Sequence, residues 1–474
     1  MLKECLKVFS NMLDEKTDAL IFDSYIPADG TYIIIDKDGN RKALIDIKMD
    51  KKTRTIDGSH PMFPTIRRYD YYSQLISMNK PMDPKKVIHS NNYLSFFVKK
   101  DSISSGKLTN DIIDNYYNTL LDPVGKKYKN SKEASRIYEL YAEEYGTVET
   151  EKIEAKKDWI KKNIYSLEDI NLDKKDYLKI FFEADDTIYE REGQRYFLPN
   201  IYNNNDYNIE IEEKVCGLPD NNLGMNAKKP FLAIKSRKYP APYLLNNEEA
   251  ILQKKFFDYL MNLVSVGLYN VYIDTENNEI RGYPNGKAPE KIDSGYYLLL
   301  KKGKTEAEIH AQDNIVGYAV TLKEPFEFLN VVDAKYKNQD YAEKHKTYYN
   351  RLEVGNLINE VTFSKWLNSN RLLDVSEIKI SDSILKQNVI MSRDAIFDWI
   401  YKGSNQGLQH ILRKTTMSLA KSAALNGYIE RALWQLNLMY SFEMYYEKEG
   451  AKNMAEIISS IKTSSAILSI YYQL

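Results

Sequence analysis

Short runs of residues that favour β-structure predict β-strands at four places in the chain. Residues 31–36 (TYIIID) and 43–49 (ALIDIKM) are rich in β-branched side chains and flank an Asp-Gly pair, which is a strong hairpin signal. Residues 271–274 and 296–301 form two further runs, on either side of a segment rich in glycine and proline. The pattern therefore predicts a β-hairpin followed, much later, by two more strands.

Apolar positions three or four residues apart predict helices on both sides of the hairpin. Residues 108–192 are helical in pattern and carry dense charge of both signs, which is typical of solvated helix faces. A short amphipathic helix opens the chain, with an apolar face formed by Leu2, Leu6, Phe9 and Leu13. Helices and strands are thus mixed in this part of the sequence.

The clearest helix in the sequence lies within residues 246–267. Asn247 is a suitable N-cap and Gly267 a suitable stop. Glu248 and Glu249 suit the positive end of the helix dipole. The predicted core-facing stripe consists of Leu252, Phe256, Leu260 and Val264.

From about residue 340 the strand pattern disappears, and four helix-length segments follow. They are residues 381–403, 405–427, 428–450 and 452–474. Three of them end at a glycine, as short-looped helical hairpins do. The sequence therefore predicts an α+β protein in which residues 1–340 form a mixed α/β region with β-hairpins and residues 341–474 form an all-α helical bundle.

The overall charge of the chain does not indicate a polyanionic partner. Lys and Arg number 66 against 67 Asp and Glu, so the net charge is −1 and any nucleic-acid contact must be a local patch. Only Cys5 and Cys216 occur, which argues against a disulfide framework or a cysteine-rich zinc site. With no signal-peptide pattern and no apolar stretch of membrane-spanning length, we expect a cytoplasmic protein.

A loop at residues 217–240, GLPDNNLGMNAKKPFLAIKSRKYP, departs from this charge balance. Between residues 221 and 245 the chain has five cations and no acid. Glycines allow close backbone approach, amides can hydrogen-bond to base edges, and clustered cations attract phosphate. The pattern fits a nucleic-acid-reading loop, and also a solvated surface loop. The cations are Lys228, Lys229, Lys235, Arg237 and Lys238.

A second basic segment lies in the predicted bundle, between residues 399 and 429, where no acid occurs. It stands out against the Glu-rich segment that follows it. Ordinary helix surface is the alternative interpretation. Its cations are Lys402, Arg413, Lys414 and Lys421.

Most catalytic signatures are missing from the sequence. It has no HExxH, no GxSxG and no complete P-loop. Asp29, followed by Asp46 and Lys48, resembles the PD-(D/E)xK pattern of metal-dependent nucleases, in which two acids hold Mg²⁺ and the lysine stabilises charge on phosphate. A hairpin alone also explains these residues. We therefore predict a protein that is not an enzyme and has no cofactor, with such a nuclease as the alternative.

Longer motifs resemble a known family. The opening MLKECLKVFSN, the following YIPADGTYIIID, and above all GLPDNNLGMNAKKPFLAIKSRK running into EEAILQKKFFDYLMNLV resemble the large subunit of the type I-B CRISPR Cascade complex, the Csh family. The match extends to about residue 270 at the level of motifs. The helical C-terminus agrees in architecture only, and it looks short for this family.

The resemblance implies a non-catalytic subunit that reads the short PAM duplex of the target, while guide pairing supplies sequence specificity. In this role Asn221, Asn222 and Asn226 approach base edges. Gly224 lets the backbone enter the groove, and the five cations of the loop hold phosphates. If the loop enters the minor groove, its readout is degenerate.

The resemblance also implies a set of partners. They are crRNA, target double-stranded DNA, the backbone and small subunits of Cascade, and a helicase-nuclease recruited in trans. The C-terminal bundle then lies beside the small subunits, and its basic face stabilises the R-loop by guiding the displaced strand. A helical scaffold whose basic loop binds a protein partner is the third interpretation of the residues.

Overall fold

The computed structural model describes most of the chain, namely residues 1–50, 52–53, 55–203, 207–212, 214–220, 243–303, 307–332, 334 and 347–446. The chain divides into two compact units. The first contains Met1–Leu268 and Lys302–His310, and the second contains Tyr269–Lys301 and the chain from Ala311 onward. Both units contain sheets and helices, which confirms the α+β class. The predicted boundary between residues 340 and 341 lies outside the described residues.

The first unit combines a four-stranded mixed sheet with helices. Its strands are β1 (Gly30–Ile35), β2 (Arg41–Ile47), β3 (Ser95–Lys99), β4 (Tyr177–Phe182), β5 (Ile209–Ile211) and β6 (Lys214–Cys216). Its helices are α1 (Leu2–Lys16), α2 (Ala19–Phe22), α3 (Phe63–Tyr72), α4 (Lys100–Ser104), α5 (Asn110–Leu121), α6 (Pro123–Lys126), α7 (Lys132–Tyr145), α8 (Thr150–Asn163), α9 (Asp186–Phe197) and α10 (Asn247–Ser265).

The main sheet of this unit has the strand order β2-β1-β4-β3. Strands β1 and β2 form the predicted antiparallel hairpin, and Gly39 in its turn has a left-handed φ of +86°. Strand β1 pairs in parallel with β4, which pairs antiparallel with β3. Every residue of β1 is buried, as expected for a strand that is covered on both faces.

The prediction that residues 108–192 are helical is wrong for β4. This strand, YLKIFF, lies in the middle of the sheet, and its last five residues are buried. A strand that is buried on both faces has a nearly continuous apolar run without alternation, and so short a run cannot be told from a helix segment by its periodicity. Pairing with β1 and β3 decides the outcome.

Helix α10 confirms the predicted helix but corrects its cap. The N-cap is Asn246, one residue before the predicted Asn247. The Asn246 side chain accepts a hydrogen bond from the Glu249 amide (2.9 Å), and the Glu249 carboxylate accepts one from the Asn246 amide (3.1 Å). This reciprocal capping box requires Glu at the third helical position, which selects Asn246 over its neighbour. Phe256 packs against Phe9 of α1, with 5.4 Å between the ring centroids.

The second unit has a four-stranded sheet of order β10-β9-β7-β8 and a small sheet formed by β11 and β12. These strands are β7 (Asn270–Asp274), β8 (Glu279–Tyr283), β9 (Lys291–Lys302), β10 (Ala307–Ala319), β11 (Thr321–Glu327) and β12 (Thr347–Asn350). Strands β7 and β9 confirm the two predicted strands. Strand β12 corrects the expectation that strands end near residue 340, because it pairs antiparallel with β11.

The helices of the second unit are α11 (Arg351–Val361), α12 (Trp366–Ser369), α13 (Ser383–Lys402), α14 (Leu408–Leu425) and α15 (Ile429–Tyr446). Helices α13 and α14 are each followed by a glycine with left-handed φ, Gly403 at +74° and Gly427 at +79°, as predicted. The end of the third predicted segment and the whole of the fourth, residues 452–474, lie outside the described residues. No helix among the described residues is long and apolar enough to cross a membrane.

Candidate nucleic-acid interface

The two ends of the basic loop are held side by side. The Gly217 amide donates to the Leu245 carbonyl and the Leu245 amide to the Gly217 carbonyl, both at 2.9 Å, as an antiparallel bridge. A Cβ atom at Gly217 would lie 2.5 Å from ring atoms of Tyr202, so only glycine allows this approach. The loop therefore starts and ends at one point of the first unit.

Tyr202 holds the loop ends to the body of the unit. Its hydroxyl lies 2.8 Å from the Val215 carbonyl oxygen and 2.9 Å from the Leu245 carbonyl oxygen. Its ring is buried in a small apolar cluster with Ile201 and Ala250, the first turn of α10. The hydroxyl has a single proton to donate, and its contacts tie the loop footing, which is the paired residues Gly217 and Leu245, to the body of the unit.

Asp220 is the last described residue before the loop cations, and it is neutralised locally. Its carboxylate lies 2.7 Å from the Lys80 ammonium and its side chain is buried. The Lys80 ammonium also donates to the Asn200 carbonyl at 2.9 Å. Lys80 and Tyr202 were not predicted from the sequence. Neither belongs to a local motif, and each contacts residues near the loop that are distant in the sequence.

The residues assigned to base and phosphate contact in the loop lie outside the described residues, which resume at residue 243. Their roles stay predictions from the sequence. They are Asn221, Asn222, Gly224, Asn226, Lys228, Lys229, Lys235, Arg237 and Lys238.

The second basic segment lines a groove of about 580 Å³ between α13 and α14. Among its described lining residues there is no acid. Arg413 and Lys414 contribute cations, His410 an imidazole, and Gln387 an amide. Arg413 lies at the limit of an ion pair with Glu443, at 4.0 Å, and 44% of its side chain is exposed, so solvent screens that interaction.

Helical spacing aligns this chemistry along α14. Positions 410, 414, 417 and 421 share one face, since they are three or four residues apart, and they contribute His410, Lys414, Met417 and Lys421. The opposite face, with Leu412, Thr416 and Leu419, is buried. Beneath the groove, Asn388 donates to the Ser418 hydroxyl at 3.0 Å and so links α13 to α14. The face can therefore present a row of polar and cationic groups to a strand.

Lys402 has a different setting from the other three predicted cations. Its ammonium lies 2.8 Å from Asp398 and 2.9 Å from Asp313, and only 11% of its side chain is exposed. Although burial acts to lower it, the two carboxylates raise the pKa of Lys402. Its charge is therefore balanced by neighbouring residues, and, like Lys421, it is not among the residues lining the groove.

The residues of the nuclease alternative lie at the open end of the β1–β2 hairpin. Asp46 accepts a hydrogen bond from the Thr31 hydroxyl across the strand pair. Asp29 accepts one from the Met49 amide at 3.0 Å. Both acids therefore have a structural role in the hairpin, and within the described residues no group of three His, Cys, Asp or Glu is placed to hold a metal ion.

Comparison with protein-family models, with curated proteins and with solved structures finds no match for this chain.

Proposed function

We propose that the chain is the non-catalytic large subunit of a crRNA-guided type I-B CRISPR Cascade complex. In this complex it reads the PAM duplex, stabilises the R-loop and helps to recruit the helicase-nuclease. The observation that carries the proposal is the acid-free basic segment that follows Asp220 and joins two positions paired by the Gly217–Leu245 bridge. A reading loop needs such a footing, because base readout depends on a fixed register.

The groove of the second unit supports the same role. Arg413 and Lys414 are exposed along a groove without acids among its described lining residues, which suits a displaced single strand. Under this proposal the partners are crRNA, target double-stranded DNA, and the backbone and small subunits of Cascade. The cytoplasm is the proposed compartment, since the guide RNA is made there.

Co-purification tests the proposal. The tagged chain is expressed with a CRISPR array and the other Cascade subunits, and the RNA that elutes with it is sequenced. We expect guide RNAs with repeat-derived ends, and unequal binding of the assembled complex to a library of PAM sequences. A chain that elutes without guide RNA, or a complex that binds all PAMs equally, contradicts the proposal.

Loop variants in the assembled complex separate reading from anchoring. Asn226→Ala removes an amide from a base edge and should narrow the difference between good and bad PAMs by about 1–3 kcal/mol. Lys228→Ala with Lys229→Ala should weaken binding to all PAMs and flatten the salt dependence by up to about 2 in slope. If Asn226→Ala and Asn222→Ala both keep the normal PAM preference, the loop is only an electrostatic anchor.

A further inference from the structure

A cleft of about 420 Å³ in the first unit, the lysine cleft, is lined by cations and amides. Its walls are the turn 79–86, helix α5 and the end of α6. No Asp or Glu is among its described lining residues. The residues that carry the argument are Lys85, Lys86, Asn115, Asn118, Lys126 and Lys127.

The fold builds the turn that presents Lys85 and Lys86. The fully buried carboxylate of Asp83 accepts hydrogen bonds from the amides of Lys85 (2.9 Å), Val87 (2.6 Å) and Ile88 (3.0 Å). These three backbone hydrogen bonds stabilise the carboxylate charge inside the protein. Lys86 has a left-handed φ of +58°, which is uncommon for a residue with a side chain. The turn is therefore ordered, and both lysine side chains are exposed at the cleft.

Lys127 ties the opposite wall to this turn. Its ammonium donates to the Pro81 carbonyl, so the end of α6 is joined to the turn 79–86. Burial, together with the nearby Lys80 ammonium, lowers the pKa of Lys127 to about 8. No carboxylate among the described residues offsets this lowering, and an anion bound beside the ammonium would offset it.

Three lysines at this cleft lack a counter-ion. Lys85, Lys86 and Lys126 are exposed and form no ion pair within the described part of the chain. Some exposed lysines elsewhere in the unit are paired, as Lys152 is with Glu149 at 2.7 Å. Four lysines around one concave surface without an acid repel one another. A bound anion relieves that repulsion.

We propose that the lysine cleft binds the phosphodiester backbone of a nucleic-acid strand without reading its bases. Lysine ammonium groups are point charges that suit phosphate oxygens, and the amides of Asn115 and Asn118 can donate to the sugar–phosphate chain. No aromatic ring is among the described residues lining the cleft, so it has no platform on which a base or a free nucleotide can stack. This inference does not depend on the Cascade assignment.

Binding of the isolated full-length chain to a fluorescent single-stranded oligonucleotide of mixed sequence tests the proposal. Lys85, Lys86 and Lys126 are replaced together by Gln, which leaves the half-buried Lys127 and the buried Asp83 intact. We expect a loss of affinity of about tenfold or more at low salt, and a salt slope lower by about 2, since each single-strand phosphate contact contributes about 0.7. A second mixed sequence should give the same result.

A matched variant controls for net charge. Lys3, Lys7 and Lys16 of α1 are also exposed and form no ion pair within the described residues, and their replacement by Gln removes the same three charges. The proposal requires that this triple keeps the normal salt slope, and that circular dichroism shows both triples folded. If the two triple variants lose equal affinity for the oligonucleotide, binding is general electrostatic attraction and the proposal is overturned.

Competitors identify the ligand chemistry. Unlabelled single-stranded DNA, single-stranded RNA and duplex are compared with inorganic phosphate, a mononucleotide and poly-glutamate. The proposal is supported if a nucleic-acid strand competes for binding to the normal chain and no longer competes in the variant with Lys85, Lys86 and Lys126 replaced. The strand that competes shows which nucleic acid fits. Competition by the mononucleotide or poly-glutamate at the same charge concentration overturns it. Neither result bears on guide-RNA co-purification, so failure of this inference and failure of the proposed function are distinguishable.

Discussion

At the scale of single residues, the loop footing depends on the absence of a side chain at Gly217. A Cβ there would overlap the Tyr202 ring and the Asn208 side chain. We expect Gly217→Ala to destabilise the first unit by about 1–3 kcal/mol, the usual range for overpacking. Thermal unfolding measures this effect.

Gly106→Ala is the control for backbone strain alone. Gly106 has a φ of +71° with nothing within 4 Å of an added Cβ, so the substitution should cost only about 1 kcal/mol. If the two variants unfold alike, the close approach at Gly217 does not support the loop footing.

Lys127 should make strand binding depend on pH. Because its pKa is lowered to about 8, it loses its proton as the pH rises from 7 to 9, and a bound phosphate then has one cation fewer. Lys85, Lys86 and Lys126 supply the rest of the positive field, since Lys80 is paired with Asp220. We expect the affinity for an oligonucleotide to fall across this range, and Lys127→Met to remove that fall. An unchanged pH profile in Lys127→Met assigns the titration to another group.

At the scale of elements, strand β4 carries a buried ion pair between Lys179 and Asp70 of α3, with side-chain exposures of 7% and 0%. Tyr25 also donates to the Asp70 carboxylate at 2.6 Å. Lys179→Met leaves a buried charge without its cation, so the free energy of unfolding should fall by about 3–5 kcal/mol. Lys179→Met with Asp70→Asn should lose less than the sum of the single variants. Urea unfolding measures all three.

The exposed pair Arg136–Glu210 is the control for this cycle. Both side chains are about half exposed, with two contacts at 2.8 Å. Arg136→Met should change the free energy of unfolding by only about 0–1 kcal/mol. An equally small effect at Lys179 means that the pair does not hold β4 in the sheet.

Helix α14 allows a test of the groove in the assembled complex. Replacing Arg413, Lys414 and Lys421 by Gln should weaken R-loop stability and leave initial PAM-duplex binding nearly unchanged, since the displaced strand forms only after the duplex opens. Lifetimes of R-loops and duplex affinities are measured in parallel. The matched control replaces Lys287, Lys323 and Lys379, which are exposed on the second unit. Equal losses in both assays exclude a role for α14 on the displaced strand.

At the scale of the whole molecule, the question is whether any part of the chain cuts nucleic acid. Asp46 bonds to Thr31 across the hairpin, which is a structural role. We expect Asp46→Ala to leave target interference intact, with no Mg²⁺-dependent cleavage by the chain before or after the change. Thr31→Val removes the same hydrogen bond and keeps the carboxylate. Cleavage that is lost in Asp46→Ala and kept in Thr31→Val establishes the nuclease alternative.

The two basic surfaces also belong to different units of the molecule. The lysine cleft lies in the first unit and the α13–α14 groove in the second. The net charge of −1 for the whole chain hides both surfaces, because acids elsewhere balance them. Binding to nucleic acid therefore depends on local arrangement and not on total charge.

The sequence by itself determined the features whose causes are local. The β1–β2 hairpin follows from an Asp-Gly turn between two β-rich runs, and α10 and the glycine-ended α13 and α14 follow from their spacing and caps. The excess of cations after Asp220 is visible without any structure. Neighbouring residues fix turns, caps and helix periods, so these predictions needed no knowledge of distant contacts.

Features that depend on residues far apart in the chain follow from long-range packing and not from local patterns. Strand β4 was assigned to a helical stretch because its apolar run becomes a strand only by pairing with β1 and β3. Lys402, in an acid-free segment, pairs with Asp313 from 89 residues away as well as with Asp398 on its own helix. The lysine cleft joins Lys85 and Lys86 to Lys126 and Lys127. Long-range pairing is set by packing of the whole unit, and local periodicity carries no record of it.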